Sequence, residues 1–579
     1  MAYFYSHKKS HFPFWHWLWQ AKWYLLTILV FLVLLIGFWL YSLLGVFQYF
    51  RGDLGYLLGF AGGPRTYLVL FQNNAELRPS GGFISNYGVI KLRFGLPVSL
   101  EIRDSYTLET PNPVDSPAPM EALLRDPKKE YTGWQFRDSN YSPDFAQAAQ
   151  KAEWFYQLQN PQAKFDGVFA FDLSFAEDLL RAVGPIYTNK RVITADNLFI
   201  ELEQETKNID WHSERDLEMR KNIIKSFAKN TIKKIIFTPA KWPAYTDSLL
   251  ANFRQKHVLA YFSKESVQEK FEKLNFAGRL QYPAQSDFLA INEANFGGRK
   301  SDRYISREVE YFVKINEDRT VSAKLRIQFI HFGGYEFLSN IFQGYLRIYL
   351  PAEAKITLAE GPFIKQYDPA DDMGYRLASG LINLLPKQKA TFAYEYNLPS
   401  SVFTSGVYRL YLQKQPGTID DRYRIFVEAP VGSTMASGTM DVRENRAFWD
   451  GYLAIDQVLA VRVFGDDKAP FPIEQQTNRQ LNKVRIIFNE DVDEGLASNP
   501  GNYEIRDLNL RNVNADQIKI TGAKWEGSQV ILNIEGMTMQ DEERYELKIW
   551  NIKDKSGNLV DPNPKVVTIV QKSKIAEGF

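Results

Sequence analysis

Hydrophobic and polar positions along the chain fall into four successive patterns. An uncharged apolar run lies between Trp23 and Phe50, and about 20 such residues are enough to cross a bilayer as a helix. Strand-like and helix-like runs then alternate, which is typical of α/β folds. From Ile305, alternating runs such as REVEYFVKI and TVSAKLRIQFIHF predict the strands of a β-sandwich. Another set of short strands begins near Pro470.

The apolar run predicts a membrane anchor that is not cleaved. Aromatic residues crowd both of its ends, as they do at the two interfaces of a membrane helix, and Lys8, Lys9 and Lys22 before it favour a cytoplasmic N-terminus. A signal peptide would have a shorter apolar core, of about 7–15 residues, with a cleavage site close behind it. We therefore expect a single-pass protein of the cell membrane with the bulk of the chain extracellular.

The α/β region contains two clear helix signals on either side of a strand signal. SPDFAQAAQKAEWFYQLQ (142–159) predicts a helix with Ser142 as its N-cap and Pro143 at its first position. SFAEDLLRAVG (174–184) predicts a second helix, which Gly184 and the following proline end. The run KFDGVFAFD between them predicts a strand.

Composition excludes several functional classes. The net charge is +1, so no basic field points to nucleic acid as a partner. Cysteine is absent, which removes disulfides, thiolate zinc sites and cysteine nucleophiles. The sequence has neither a phosphate-binding GxxxxGK[ST] loop nor a GxSxG nucleophile elbow. With 579 residues the chain is too long for one core, so several domains are expected.

Polar side chains gather at two predicted strand ends. YLVLFQ is followed at once by NNAELRPSGG, which brings Asn73, Asn74, Glu76 and Arg78 to the end of one strand. A later strand ends on Arg103-Asp104. Ligand sites of open α/β sheets lie at strand ends, so these groups are candidates for a ligand site. The alternatives are a turn before Gly81-Gly82 and a surface ion pair.

Several segments resemble a family of bacterial membrane-anchored proteins of unassigned role, "domain of unknown function 4012". The segments, which occur in order between about residues 60 and 430, are LVLFQNNAELRPSGGFISNYG, DSNYSPDFAQAAQKAEWFY, FDGVFAFDLSFAEDLLRAVGPI, DFLAINEANFGGRKSDRYISREV and YLQKQPG. This resemblance names a family without implying an activity.

The same region is similar, in order, to LytR-CpsA-Psr proteins, which are single-span enzymes that move glycopolymers from a polyprenyl-pyrophosphate lipid to the cell wall. The counterparts here include YLVLFQNNAEL, Phe165-Asp166-Gly167-Val168, Gly184-Pro185-Ile186 and a long helix after residue 213. The resemblance implies an α/β/α domain that binds pyrophosphate through arginines and holds magnesium in an acidic loop. The implied anion-site residues are Asn73, Asn74, Glu76, Arg78, Arg103, Asp104, Arg215 and Arg220.

The chain departs from that pattern at two places. Glu76 is the only carboxylate in the counterpart of the acidic loop, and the segment 199–210 lacks the paired arginines of the family. The last part of the chain resembles the Ig-like domains of bacterial surface-layer proteins, on Val484-Ile486-Phe488, Asn499-Asn502-Tyr503 and Asp554-Gly557-Asn558.

These observations predict a multidomain α+β protein. Its expected parts are a cytoplasmic tail (1–22), a transmembrane anchor (23–47), an α/β domain (60–303), a β-sandwich (304–466) and an Ig-like domain (467–572). We expect a cell-envelope protein that binds or transfers a polyprenyl-(pyro)phosphate-linked glycopolymer, with the bilayer and a cell-wall polymer as partners. The alternative is a non-enzymatic envelope scaffold or adhesion protein with a degenerate α/β domain.

Overall fold

The structure is a computed structural model, and it describes only part of the chain. The described residues are 50, 52–110, 112, 114–124, 133–188, 191–204, 214–281, 283–297, 300–336, 338–362, 364, 371–419, 421–465, 469–478, 482–507, 518–527, 529–535 and 544–570. The predicted anchor at 23–47 lies outside them. Within the described ranges, no helix combines the length and the apolar character needed to cross a bilayer.

The first domain is built around a five-stranded sheet. Its elements are α1 (Leu54–Leu57), β1 (Arg65–Arg78), β2 (Gly81–Arg93), β3 (Leu96–Asp104), α2 (Ala118–Leu124), α3 (Phe145–Gln159), β4 (Gly167–Phe171), α4 (Leu173–Val183), β5 (Ile186–Thr188), β6 (Arg191–Ile193), α5 (Leu198–Gln204), α6 (Glu214–Ile236), α7 (Trp242–Arg254), β7 (Val258–Phe262) and α8 (Glu265–Lys273). The strand order is β3-β2-β1-β4-β7, and β1 and β4 form the parallel pair. β5 and β6 form a separate hairpin.

Helices cover both faces of this sheet because alternate strand residues point to opposite sides. Leu68 and Leu70 of β1 pack on the side of α3, whereas Tyr67 packs against aromatic residues of β7 and α8. The helix predicted at 142–159 begins later than expected. Its N-cap is Asp144, whose carboxylate accepts hydrogen bonds from the amides of Ala146 and Gln147; Ser142 is therefore not the cap. The helix predicted at 174–184 is α4, and it ends at Gly184 with φ +85° as expected.

The second domain is a β-sandwich of one seven-stranded and one eight-stranded sheet. Its strands are β8 (Asp287–Ala294), β9 (Ile305–Ile315), β10 (Val321–His331), β11 (Phe342–Leu350), β12 (Lys355–Glu360), β13 (Asp371–Asp372), β14 (Tyr375–Leu384), β15 (Lys389–Leu398), β16 (Phe403–Thr404), β17 (Val407–Gln413), β18 (Arg422–Glu428), β19 (Thr434–Ala436), β20 (Asp441–Arg443), β21 (Arg446–Tyr452) and β22 (Gln457–Phe464). A large apolar core lies between the two sheets.

The boundary between the first two domains lies earlier than the sequence predicted. β8 pairs with β11 and β17 inside the eight-stranded sheet, so the chain has entered the sandwich by Asp287 rather than at residue 304. The reason is that the buried run FLAINEA has no partner in the five-stranded sheet. Its Leu289 and Ile291 belong to the sandwich core, whereas its last residue, Ala294, packs with Met120 of α2 in the first domain.

The third domain is a smaller sandwich with its own core. Its elements are β23 (Pro472–Asn478), β24 (Lys483–Phe488), α9 (Glu494–Ala497), β25 (Tyr503–Asp507), β26 (Lys519–Glu526), β27 (Gln529–Glu535), β28 (Arg544–Ile549) and β29 (Lys565–Val570). They form a four-stranded sheet and a three-stranded sheet. The whole described chain is thus mixed α/β with strands predominating.

Candidate functional site

The polar end of β1 is buried inside the protein. Arg78, its last residue, is 1% exposed. Its guanidinium forms ion pairs with Glu76 (3.0 Å) and Asp138 (2.9 Å). It also lies between two aromatic rings, those of Phe83 and Phe296, at 5.3 and 5.1 Å from their centroids. Arg78 and Glu76, both predicted to bind an anion, therefore compensate charges within the fold.

The two glycines after Arg78 allow the chain to fold back closely on β1. Gly81 has φ +122°, a conformation that side-chain-bearing residues avoid. At Gly82 a Cβ atom would lie only 2.4 Å from the carbonyl oxygen of Asn73. The sequence reading of Arg78-Pro-Ser-Gly-Gly as a turn is correct, and the turn forms one side of a contact with the second domain.

That contact, which we call the joint, is a continuous set of buried polar groups between the first two domains. Arg307 of β9 forms ion pairs with Glu293 and with Asp302, the latter at 2.7 Å. Asp302 in turn accepts a hydrogen bond of 2.9 Å from the backbone amide of Leu77. All three charged side chains are at least nine-tenths buried. The joint thus connects β1 to β8 and β9 through paired charges.

The loop after β17, with the sequence QKQPG, completes the joint. The side-chain amide of Gln415 donates to the carbonyl oxygens of Arg78 (3.1 Å) and Glu293 (2.7 Å). The amide of Asn74 donates to the carbonyl oxygen of Gly417 (2.9 Å). Several of the segments that carried the family resemblance therefore meet at this contact. Asn74 lies in the joint, so it is not free to bind a ligand.

One further cation is buried next to the joint. The ammonium group of Lys414 donates to the carbonyl oxygens of Thr418 (2.8 Å) and Gln415 (3.2 Å). Burial lowers the pKa of Lys414 to about 8. Its neighbour Lys256 forms a buried ion pair of 2.8 Å with Asp456.

Arg103 and Asp104 lie apart from Arg78 and differ from each other. Arg103 is opposite Tyr87 in the β2–β3 ladder, and Tyr87 belongs to the core under α3. The side chain of Arg103 is half exposed, and its hydrogen bond to Glu101 (2.7 Å) raises the pKa of the Arg103 guanidinium. Asp104 is buried, and its carboxylate accepts from the amide of Tyr106. The strand-end arginines therefore do not converge on one site.

The remaining candidates lie on α6 and in the counterpart of the acidic loop. Arg215 and Arg220 fall in the first turns of α6, where the side chains lie outside the described residues. In the described part of the chain, no group of three histidine or carboxylate side chains could hold a metal ion. Glu76, the only carboxylate of the predicted magnesium loop, is paired with Arg78. The counterpart of the acidic loop therefore does not fit magnesium.

A large apolar cavity lies on the other side of the same strand. Its volume is about 320 Å³. The sheet forms one wall and α4, α5 and α6 form the others. The apolar residues that line it include Val69, Phe71, Ile90, Leu100, Ile102 and Phe171 from the sheet, and Phe175, Leu179, Leu202, Phe227, Ile232 and Ile235 from the helices. The wall is almost entirely hydrocarbon.

Polar groups are confined to a few positions of the cavity wall. The amide of Asn73 donates to Glu203 at 3.0 Å, and Glu203 forms an ion pair with Lys300. Among the predicted site residues whose side chains the structure describes, Asn73 lines the cavity. Asn86 also lines it, and its buried Oδ1 has no hydrogen-bond partner among the described residues. The wall therefore offers one unused acceptor and the carboxylate of Glu203, which is paired with Lys300.

Sequence reasoning missed this cavity. Its lining comes from strands and helices far apart in the chain, and each contributes residues that read as ordinary core. The available signal was the amphipathic pattern of α6, whose Phe227, Ile232 and Ile235 share the apolar stripe. That pattern predicts a buried helix face, but it does not say that the space beneath the face is left partly unfilled.

Residues 62–206 match the model of the family DUF4012, which is described as a protein of unknown function. The match confirms the resemblance seen in the sequence over this stretch, which contains β1 to β6. No curated protein shows significant similarity to the chain.

Solved structures with a related backbone are distant. The N-terminal part of the bacterial S-layer protein SbsC is 14% identical with a TM-score of 0.16, covering 19% of this chain and 24% of that one. Lin1025 from Listeria innocua is 12% identical with a TM-score of 0.21, covering 37% and 79%. Protein gbs0355 from Streptococcus agalactiae is 9% identical with a TM-score of 0.23, covering 37% and 74%. The chain thus spans about a quarter of the S-layer structure, and none of these likenesses bears on function.

Proposed function

We propose that this chain is a membrane-anchored protein of the cell envelope whose first domain binds the hydrocarbon chain of a polyprenyl-phosphate-linked lipid. The apolar cavity between the sheet and α4, α5 and α6 carries the proposal. Its volume of about 320 Å³ falls at the lower end of the range for small-molecule sites, about 300–1,000 Å³. A cavity of this size accepts a segment of a long chain rather than the whole lipid.

The chemistry of the wall selects the ligand class. Water in an apolar cavity lacks the two to four polar partners it needs, so such a cavity favours an apolar guest. The charged pair of Glu203 and Lys300 is close to Asn73 at one part of the wall. A headgroup phosphate would find a cation there, and the unused acceptor of Asn86 would suit a hydroxyl of the ligand.

Binding without transfer is the form of the function that the residues support best. Glycopolymer transfer of the LytR-CpsA-Psr type would need arginines that converge on the pyrophosphate. Arg78 is already paired with a buried carboxylate, and Arg103 is on the face of the sheet opposite to the cavity. The LytR-CpsA-Psr-like α/β/α domain and the Ig-like third domain would then present a bound lipid-linked polymer rather than process it.

The membrane location follows from the apolar run at 23–47. With residues 1–22 in the cytoplasm and the rest of the chain outside, the lipid-binding domain would start within a few residues of the bilayer. Polyprenyl lipids reside in that bilayer, so an anchored domain meets its ligand at a high local concentration.

Lipid analysis of the full-length protein tests the proposal. The protein is purified in mild detergent from its own membrane, and bound lipids are identified by mass spectrometry. The matched variants are Ala228→Phe, which places a ring in the cavity wall, and Ala244→Phe on the exposed surface of α7. We expect a polyprenyl phosphate or pyrophosphate in the wild type and in Ala244→Phe, and its loss in Ala228→Phe.

Thermal stability separates ligand loss from misfolding. Filling a cavity commonly stabilises a protein by about 0.5–2 kcal/mol, so Ala228→Phe should unfold at a temperature equal to or above that of the wild type. Co-purification of an ordinary phospholipid would retain the cavity as a lipid site but reject the polyprenyl class. Absence of any lipid from well-folded wild-type protein would reject the proposal.

An envelope scaffold is the second candidate function. The joint favours it, because paired buried charges hold the first two domains as one unit from which the third domain extends. This function predicts binding to an envelope polysaccharide or protein that is unchanged in Ala228→Phe. Parallel loss of envelope binding and lipid in that variant would reject a role independent of the cavity.

A further inference from the structure

Four large apolar side chains are exposed together at one end of the first domain. Phe60, Phe94, Leu96 and Val98 are 57%, 55%, 62% and 57% exposed. Phe60 belongs to the loop after α1, Phe94 to the turn between β2 and β3, and Leu96 and Val98 to the start of β3. The rings of Phe60 and Phe94 are 5.8 Å apart, and the amide of Gly95 donates to the carbonyl of Leu58 at 2.8 Å. We call this surface the hairpin patch.

The hairpin patch is more than a set of scattered surface residues. Single exposed apolar residues are normal, but contiguous ones mark interaction surfaces. Phe94 has φ +54°, an unfavourable conformation for a bulky residue, and Gly95 follows with φ +75°. The turn therefore holds an aromatic residue at an exposed position where a small polar residue would be more stable.

The position of the hairpin patch in the chain indicates what covers it. The predicted membrane span ends at residue 47, and the described chain begins at Phe50, which packs on Phe271 at 5.1 Å between ring centroids. Three residues span at most about 11 Å, so the domain starts close to the bilayer surface. The loop that carries Phe60 follows directly, and it is bonded to the β2–β3 turn.

Charge next to the hairpin patch fits the same partner. Lys91 and Arg93 are exposed on β2, and the guanidinium of Arg93 is 5.1 Å from the ring centroid of Phe94. Within the described residues neither cation belongs to an ion pair. Exposed aromatic and aliphatic residues flanked by cations are typical of surfaces that insert into the interface of an anionic membrane.

We propose that the hairpin patch inserts into the bilayer beside the anchor and fixes the orientation of the first domain on the membrane. This inference rests on the proposed membrane anchor. It also connects the membrane to the cavity, because Ile90 and Leu100 of the cavity wall are on the two strands that lead to the turn. At about 3.3 Å per residue, four residues of strand separate Leu96 from Leu100 by about 13 Å.

Site-directed labelling of the full-length protein tests the inference, and the absence of native cysteine makes single labels straightforward. Leu96→Cys and Val98→Cys receive an environment-sensitive fluorophore, as do the control Val431→Cys, 64% exposed in the second domain, and Leu34→Cys within the predicted span. Each protein is reconstituted into vesicles of phosphatidylglycerol and phosphatidylcholine that contain a doxyl-labelled phospholipid.

We expect quenching by the doxyl lipid at positions 34, 96 and 98, and none at 431. Quenching at 34 without quenching at 96 and 98 would overturn the inference while leaving the anchor intact. No quenching at 34 would reject the anchor and the inference with it, whereas the cavity could still be tested by lipid analysis. Labels at 96 and 98 that are shielded only at high protein density, without lipid quenching, would identify a second copy of the chain as the partner and overturn the inference.

Discussion

The joint and the cavity lie on the same strand, β1, and differ in almost every property. The joint contains buried charges. Each of four charged side chains has an oppositely charged partner within 3.0 Å: Arg78, Glu76, Asp138 and Asp302. The cavity contains few polar groups and much unfilled space. The contrast shows that a dense set of polar residues at a strand end can seal a domain contact, while a cavity is lined by residues that look like core.

The largest expected effect is a difference in unfolding free energy between alanine variants of Arg78 and Arg103. Arg78→Ala would leave the buried Glu76 unpaired and Asp138 with only Arg137, at 3.9 Å, which costs about 3–5 kcal/mol of unfolding free energy. Arg103→Ala removes an exposed ion pair worth about 0–1 kcal/mol. Chemical denaturation of both variants measures the difference. If Arg78→Ala kept its stability but lost a bound anionic lipid, the joint would have to be reinterpreted as a ligand site.

The pH dependence of folding stability tests a buried carboxyl of the second domain. Asp287 is buried in the sandwich and accepts hydrogen bonds of 2.6 Å from Tyr311 and Tyr408. Burial raises its pKa to about 6, whereas an unfolded aspartate has a pKa of about 3.9. The folded state therefore keeps a proton that the unfolded chain loses, and stability falls as the pH rises from about 4 through 6.

The expected size of this effect is at most about 3 kcal/mol, from 1.36 kcal/mol per pKa unit. Asp287→Asn carries no titratable proton and should reduce the slope of the stability profile over that pH range, while Glu153 and Glu293, whose pKa values burial raises to about 7, keep part of it. Lipid binding by the cavity should not follow the same profile, because Asp287 does not line it. Equal pH slopes in the wild type and Asp287→Asn would contradict this assignment.

Two glycine variants test how tightly the joint is packed. A Cβ at Gly417 would lie 2.8 Å from the carbonyl oxygen of Gly81, whereas one at Gly374 would meet nothing within 4 Å. Both glycines have positive φ, +85° and +82°. Gly417→Ala should therefore cost about 1–3 kcal/mol more than Gly374→Ala, the amount typical of overpacking. Similar melting temperatures for the two variants would indicate a loose joint.

The smallest expected effect concerns the charged pair of the cavity. Glu203→Gln keeps an acceptor for the amide of Asn73 but releases Lys300 from its ion pair. Glu203 is buried but Lys300 is about a quarter exposed, so the loss of stability should stay below the cost of about 3–5 kcal/mol for a fully buried pair. If a phosphate lies there, the released ammonium should tighten binding of an anionic lipid about two- to fivefold, measured against a neutral lipid of the same chain. Equal affinities for both lipids would place the headgroup elsewhere.

Local patterns predicted the elements of this protein well and the site poorly. The helix at 174–184, the strand predicted in the run 164–172 and observed at Gly167–Phe171, and the strands of the second and third domains follow from periodicity and end signals that lie within each segment. The N-cap at Asp144 and the membership of β8 differed from expectation. The local pattern does not distinguish between two equally suitable capping residues. It also does not show which sheet a buried strand joins.

The sequence by itself determined the order of elements, the absence of cysteine chemistry and the apolar run before the first domain, because each is a property of neighbouring residues. Only the tertiary structure decided that Arg78 is buried between Glu76, Asp138 and the carbonyl of Asn295 after β8, that Arg103 lies on the opposite side of the sheet from the cavity, and that the space under α6 is open. The physical reason is that burial, charge pairing and unfilled volume depend on residues brought together from distant parts of the chain.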